Sequence, residues 1–342
     1  MKLSKRLCIA LSALVLAGCT VQNTVSVDCV PEETEKLVIY TPHPQQIHLP
    51  LIQEFEERTG IWVDIVYGGT NKLLERIDAE QESPVADVLF GGGAEHMEYY
   101  KDLFAPYVCQ EHDILHEEFY SAEHLWTPFS AIPVVLVYNT KLVNPEQLQS
   151  WEDLKNPVFE GEIAFADPSV SGSYLTALIN RLLIDGGDPA QALAEYAEDL
   201  QYRQFSGSGE ALAAVVDGRC LVGITLESTA VKLISAGADI AMIYPSDGTS
   251  FIADGTAILK NAPHSENTKR FLDFTVSYDV QQLLVENFYR RSVSNDLTSD
   301  ESLLPLSQIP LVNYNVGWAV EYRPQILDYW ADLLRAEGRN ET

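Results

Sequence analysis

Residues 61–93 read IWVDIVYGGTNKLLERIDAEQESPVADVLFGGG. Two short apolar runs, 61–66 and 86–90, each stop at glycines, the pattern of a β-strand entering a turn. Between them Leu73, Leu74 and Ile77 recur at helical spacing, and Thr70 stands where it can cap that helix. Upstream, Leu37-Val38-Ile39-Tyr40 is another β-prone run, halted by Thr41-Pro42-His43-Pro44 because proline cannot continue a sheet ladder. Leu51, Ile52 and Phe55 then mark a helix face that Gly60 closes. Strand, helix, strand, helix, strand at this spacing predicts a right-handed parallel α/β unit.

Further along, residues 132–138 restart β structure after a stretch rich in Glu and His. The strand–helix alternation then returns: 163–166 leads through Asp167-Pro168-Ser169-Val170-Ser171-Gly172-Ser173 into a helix reaching Leu183. Likewise 221–225 leads through Glu227-Ser228-Thr229 into another. Residues 267–287 read as helix, and a last amphipathic helix is expected over about 324–335. With 342 residues, 46% of them hydrophobic, the chain can bury two cores.

The first eighteen residues carry Lys2, Lys5 and Arg6, then an apolar run over 7–16, then Ala17-Gly18 before Cys19, the layout of a secretory signal. That run is too short to span a bilayer. Leu16-Ala17-Gly18-Cys19 matches the bacterial lipobox, so Cys19 is expected to become an acylated N-terminus anchored to a membrane. Residues 20–35 are polar and without periodicity, as suits a tether. The chain carries 50 acidic against 22 basic side chains, a net charge of −28, and losing the signal makes it more negative still. Such a field excludes nucleic acid as a partner. Five cysteines reduce to Cys29, Cys109 and Cys220 once Cys8 is cleaved and Cys19 lipidated; an odd number cannot be fully paired, and Cys109 with Cys220 is the one bridge to expect.

Four expected strand ends run at once into small hydroxyl residues or glycine and then a helix: Thr41, Gly68-Gly69-Thr70, 169–173 and 227–229. Open α/β sheets bind ligands outside the carboxyl ends of their strands. Helix N-termini there offer unpaired N–H groups and the positive dipole end, which suit phosphate or carboxylate oxygens. Nothing catalytic assembles: there is no Gly-x-Ser-x-Gly, P-loop, Gly-x-Gly-x-x-Gly or His-Glu-x-x-His motif, so neither an enzyme nor a cofactor is expected. Gly91-Gly92-Gly93 signals close backbone approach. His112 and His116 would share a face on a helix, but in so charged a segment a solvated surface is the expectation, and no metal site is assigned. Tyr99-Tyr100 is expected to straddle core and surface.

Several of these pieces together resemble the extracellular solute-binding proteins of the ferric-iron and phosphorylated-compound branch of ABC importers: residues 37–44, EFEERTGI from Glu54, YGGTNKLLERI from Tyr67, ADVLFGGG from Ala86, Asp167-Pro168-Ser169, and NFYRRSV from Asn287. The resemblance implies a type II periplasmic-binding-protein fold: two α/β lobes joined by two β crossovers, near 129–134 and 255–263. Lobe one would hold 36–128 and 262–342, and lobe two 129–261. It further implies a monomeric binding protein that serves a permease and an ATPase, with its solute in the interlobe cleft. Iron-binding members carry adjacent tyrosines in the segment matching 222–230, where this chain has Glu227-Ser228-Thr229. That departure argues against ferric iron and favours the sister group, carriers of hexose phosphates, phosphoglycerates or aminophosphonates, with ferric iron, thiamine or a polyamine as the alternative solutes of the same fold. On this reading Thr41, Gly69, Thr70, Ser171, Gly172 and Ser173 wrap the phosphoryl oxygens, and Glu227, with Ser228 beside it, holds sugar hydroxyls or an amine. Ser206 and Ser208 add donors, and His43 adds charge at low pH.

Overall fold

The computed structural model describes residues 31–337, so the expected signal and Cys19 lie outside it. The chain opens β1 (Lys36–Thr41), α1 (Gln45–Thr59), β2 (Trp62–Tyr67), α2 (Thr70–Ala79), β3 (Val88–Gly93), α3 (Ala94–Tyr99) and β4 (Phe104–Ala105). The long β5 (Thr127–Asn139) follows, then β6 (Ile163–Ala164), α4 (Gly172–Asp185), α5 (Pro189–Asp199), α6 (Ser208–Val216), β7 (Val222–Leu226), α7 (Glu227–Ser235) and β8 (Ile240–Ile243). A second long strand, β9 (Phe251–Leu259), precedes α8 (Ser265–Val276), α9 (Tyr278–Phe288) and α10 (Val316–Glu337).

One sheet runs β2-β1-β3-β9-β5-β7-β6, with β4 also on β9 and β8 also on β5. β1 is parallel to β2 and β3, as the opening stretch predicts, while β9 enters antiparallel to β3. Strands β5 and β9 carry the sheet from one lobe to the other. Residues 127–133 of β5 pair antiparallel with β9, and residues 134–139 pair with β7 and β8 instead. The return crossover therefore lies at 251–256, slightly before the expected 255–263. Every residue of β5 is buried, which is why its sequence is an almost unbroken apolar run. A register shift between Pro128 and Ser130 accommodates a proline that has no N–H for the ladder.

Side-chain alternation sorts the strands of the first lobe onto two cores. Leu37, Ile39, Val88 and Phe90 pack with Phe55, Phe129 and Phe271, whereas Tyr40 and Leu89 pack with Leu73, Leu74 and Phe104. The other lobe has one core built around Trp151, Phe165, Tyr174, Leu178, Tyr196 and Ile224. Ala319, Ile326 and Trp330 of α10 belong to this second core, with the Trp330 ring 5.5 Å from Phe165. α10 thus bridges the lobes: these residues pack with the second core, while Val316 packs against the first and Arg323 lies over Tyr99 and Tyr100 of α3.

Other expectations also shift. α10 starts eight residues before Pro324, because the Asn315 side chain accepts from the Trp318 amide and nucleates the helix earlier. Ser277 turns out of helical geometry and splits 267–287 into α8 and α9. Cys109 and Cys220 are free thiols buried in different cores, so they do not pair. His112 opens one 3₁₀ turn and His116 precedes the next in extended conformation, so they do not share an α-helix face; His112 stacks on Tyr120 at 4.2 Å and meets His124 edge-on. Tyr99 and Tyr100 end α3, with Arg323 of α10 packed over both rings.

Candidate functional site

The N-termini of α2 and α4, one from each lobe, meet across the junction. A Cβ on Gly69 would lie 2.5 Å from the Val170 carbonyl oxygen, and one on Gly172 would lie 2.7 Å from Thr70 Oγ1. Only glycine permits that approach. Gly69, not Thr70, is the N-cap of α2, and Thr70 is the first helical residue; Ser171 caps α4. Gly69 has no side chain to cap with, and the hydroxyls of Thr70, Ser171 and Ser173 form no bond to the backbone of either helix. Thr70 and Ser171 are buried, and Ser171 and Ser173 share a hydroxyl–hydroxyl contact of 3.2 Å.

Asn71 ties the two helix starts together. Its Nδ2 donates to the Pro168 carbonyl at 2.8 Å, and its Oδ1 accepts from Arg323 Nη2 at 2.6 Å. Arg323 is 6% exposed and faces two tyrosine rings rather than a carboxylate, so α10 brings a buried cation close to the junction.

Beside these ends stands the first turn of α3. Glu95 is 1% exposed and His96 fully buried. Thr176 of α4 donates its hydroxyl to Glu95 Oε1, a bond from one lobe to the other. Burial opposes the Glu95 charge, but His96 and the Thr176 hydroxyl outweigh it and hold the carboxyl below its ordinary range. His96 Nδ1 sits 3.1 Å from Glu95 Oε1 without hydrogen-bond alignment. Glu95 Oε2, both His96 ring nitrogens and the Tyr314 hydroxyl are buried without an aligned hydrogen bond, the Tyr314 hydroxyl facing Glu95 and Thr176. Buried polar atoms are normally paired, so four without an aligned bond around a single seam are unusual.

The remaining expected residues are largely committed to the protein. Thr41 donates to the Phe90 carbonyl at 2.6 Å and accepts from the His43 amide, so its proton is already used. His43 is enclosed by Phe90, Phe129, Asp254 and Arg290, and burial pushes its pKa down to about 3; it brings no charge at mildly acidic pH. Arg290 also donates to Ser130 at 2.7 Å and to Asp254, whose other oxygen accepts from the Gly92 amide. The glycine triplet is the seam between this centre and the helix ends. A Cβ on Gly91 would lie 2.8 Å from His43 Nε2, and one on Gly92 would lie 3.2 Å from Thr70 Cγ2.

Glu227 is 1% exposed and gripped at both oxygens by Arg291, at 2.8 and 2.7 Å, with Tyr244 donating as well. A carboxylate so held is neutralised in place. Ser228 is buried beside it, at the start of α7. Ser206 and Ser208 are exposed, and Ser206 bonds Glu210 at 2.7 Å as an ordinary helix-start contact. The structure therefore brings together Gly69, Thr70, Ser171, Gly172 and Ser173. It adds Asn71, Glu95, His96, Thr176, Tyr314 and Arg323, which the strand-end pattern does not single out. Among the described residues, no group of three or more His, Cys, Asp or Glu could hold a metal ion.

Comparisons with known proteins agree with this architecture. Residues 37–290 match the family described as bacterial extracellular solute-binding protein. The chain is 26% identical over 316 residues to iron uptake protein A1 of Synechocystis, covering 85% of this chain and 87% of that one. It is 25% identical over 319 residues to a probable ABC transporter periplasmic-binding protein of Sinorhizobium fredii, covering 90% and 88%. Among solved structures, the periplasmic binding protein AfuA of Actinobacillus pleuropneumoniae, with fructose-6-phosphate bound, superposes with a TM-score of 0.81 at 22% identity, over 88% of this chain and 98% of that one. With a family match spanning both lobes and the hinge between them, this chain belongs to the bacterial extracellular solute-binding proteins.

Proposed function

We propose that this protein captures a small anionic solute, phosphorylated at the end it presents to α2 and α4, and delivers it to the permease and ATPase of an ABC importer. One observation carries this reading: two helix N-termini from opposite lobes face each other, with Thr70, Ser171 and Ser173 free of capping bonds. Each N-terminus concentrates unpaired N–H donors and a positive dipole end, and short hydroxyls add donors that match phosphoryl oxygens. An anion held by both ends binds the closed form more tightly than the open one, and that difference drives closure. Arg323, buried without a carboxylate, adds positive potential behind the site. The lipobox supports acylation of Cys19, which would hold the protein at the membrane beside its importer.

Calorimetry on the purified protein with fructose 6-phosphate, fructose, ferric citrate, thiamine and spermidine tests the reading. Saturable binding of the phosphate ester, at least about a hundredfold tighter than fructose, is expected, because loss of the charged group leaves buried donors unpaired. Binding of ferric citrate, thiamine or spermidine with no response to the phosphate ester would assign a different solute to the same fold.

A further inference from the structure

Glu95 and His96 place opposite hydrogen-bonding demands on one seam. His96 Cε1 lies 3.2 Å from where a Cβ on Gly172 would sit, so the ring stands against the start of α4. Neither ring nitrogen forms an aligned hydrogen bond, although the side chain is fully buried; Nδ1 has only Glu95 Oε1 at 3.1 Å beside it, and Nε2 has no partner. Glu95 Oε2 is equally buried and without an aligned partner, and it lies 2.7 Å from where a Cβ on Gly93 would sit. In either tautomer an imidazole offers an N–H donor, whereas an ionised carboxylate oxygen accepts only. Groups left unpaired in a closed seam are costly unless something meets them, and the two demands specify what that is.

We propose that His96 and Glu95 complete the solute site and restrict it to phosphate esters or phosphonates that carry a hydrogen-bond donor, a hydroxyl or an ammonium, next to the phosphoryl end. The proposal rests on the phosphoryl reading given above. His96 donates to a phosphoryl oxygen alongside Thr70, Ser171 and Ser173. Glu95 accepts from the neighbouring hydroxyl or ammonium. A carboxylate at that position meets a buried like charge and is rejected, so phosphoglycolate, which carries a carboxylate there and no hydroxyl, is excluded.

The test is calorimetry with fructose 6-phosphate, 2-aminoethylphosphonate, phosphoglycolate and inorganic phosphate on the unaltered protein and on Glu95→Gln and His96→Ala. The unaltered protein should prefer fructose 6-phosphate or 2-aminoethylphosphonate over phosphoglycolate by about a hundredfold, and which of the two it prefers separates hydroxyl from ammonium recognition. Glu95→Gln, which keeps an acceptor for Thr176, should shrink that preference about tenfold or more by removing the repulsion. His96→Ala should weaken every phosphorylated compound by about tenfold, leaving their order unchanged. Equal binding of phosphoglycolate and fructose 6-phosphate by the unaltered protein overturns the proposal without any variant. So does a Glu95→Gln protein with the original preference, or a His96→Ala protein with the original affinities. If the unaltered protein binds none of the four, the phosphoryl reading itself fails, an outcome distinct from binding without selectivity.

Discussion

Glu95 and Glu227 occupy equivalent places: each is a buried carboxylate in the first turn of a helix that follows a strand. Their surroundings differ sharply. Glu227 has both oxygens bound by Arg291 and a third donor in Tyr244, whereas Glu95 has one oxygen bonded and the other without an aligned partner. Position at a strand end therefore nominates a residue without saying what it does. A side chain whose hydrogen-bonding capacity is filled by the protein is scaffold, and one left partly unfilled at a lobe junction is available for recognition.

The most severe way to break the contrast is at Arg291. Arg291→Met leaves the Glu227 carboxylate buried with Tyr244 as its one remaining donor, and should lower stability to urea by about 3–5 kcal/mol. Glu95→Gln should change stability by less than about 1 kcal/mol, since it gives up no satisfied bond at Oε2. Comparable losses in the two variants would erase the distinction.

Gly172→Ala sharpens it from the other side. The added Cβ would collide with Thr70 Oγ1 and lie 2.9 Å from Thr70 Cβ, but only while the helix ends touch. Solute affinity should fall by about tenfold or more through the overpacked junction. Unfolding of the solute-free protein should shift by no more than about 1 kcal/mol, alanine being the better helix former. Calorimetry and urea titration on the same sample separate the two effects.

His43 lies between these extremes, enclosed and only partly satisfied, and predicts a milder acid sensitivity. Its folded-state pKa of about 3 lies below the ordinary 6.5, so the unfolded chain takes up the proton first as pH falls. The stability of a neutral, buried His43 is fully present above pH 6.5 and is lost at about 1.4 kcal/mol per pH unit below it. Urea midpoints at pH 7 and pH 5.5 should differ by that slope, and His43→Gln should flatten it.

Much of the fold was legible because its signals are local. Gly60 and the runs at 37–40, 61–66 and 86–90 place elements within a few residues of where they form. The departures come from long-range choices: α10 joins the far core because Trp330 fits between Phe165 and Tyr196, which nothing near residue 330 announces. The same holds at the site. The glycines and hydroxyls at 69–70 and 171–173 were legible as strand-end features, and they do meet. Glu95 and His96 were not, because their importance lies in what fails to reach them, and an absence of partners has no sequence pattern. Arg290 and Arg291 stand together in the chain, yet one closes on Asp254 and the other on Glu227.

The placement of Trp330 also bears on the order in which the molecule can be built. The core formed by residues 134–243 takes one of its largest buried rings from α10, and β9 with α8 and α9 intervenes before that ring is made. A chain emerging from the ribosome can pair β1, β2 and β3 early, but it cannot seal the second core until Trp330 has been synthesised. Such a late closing piece keeps one half of the molecule loose until nearly all of the chain is available.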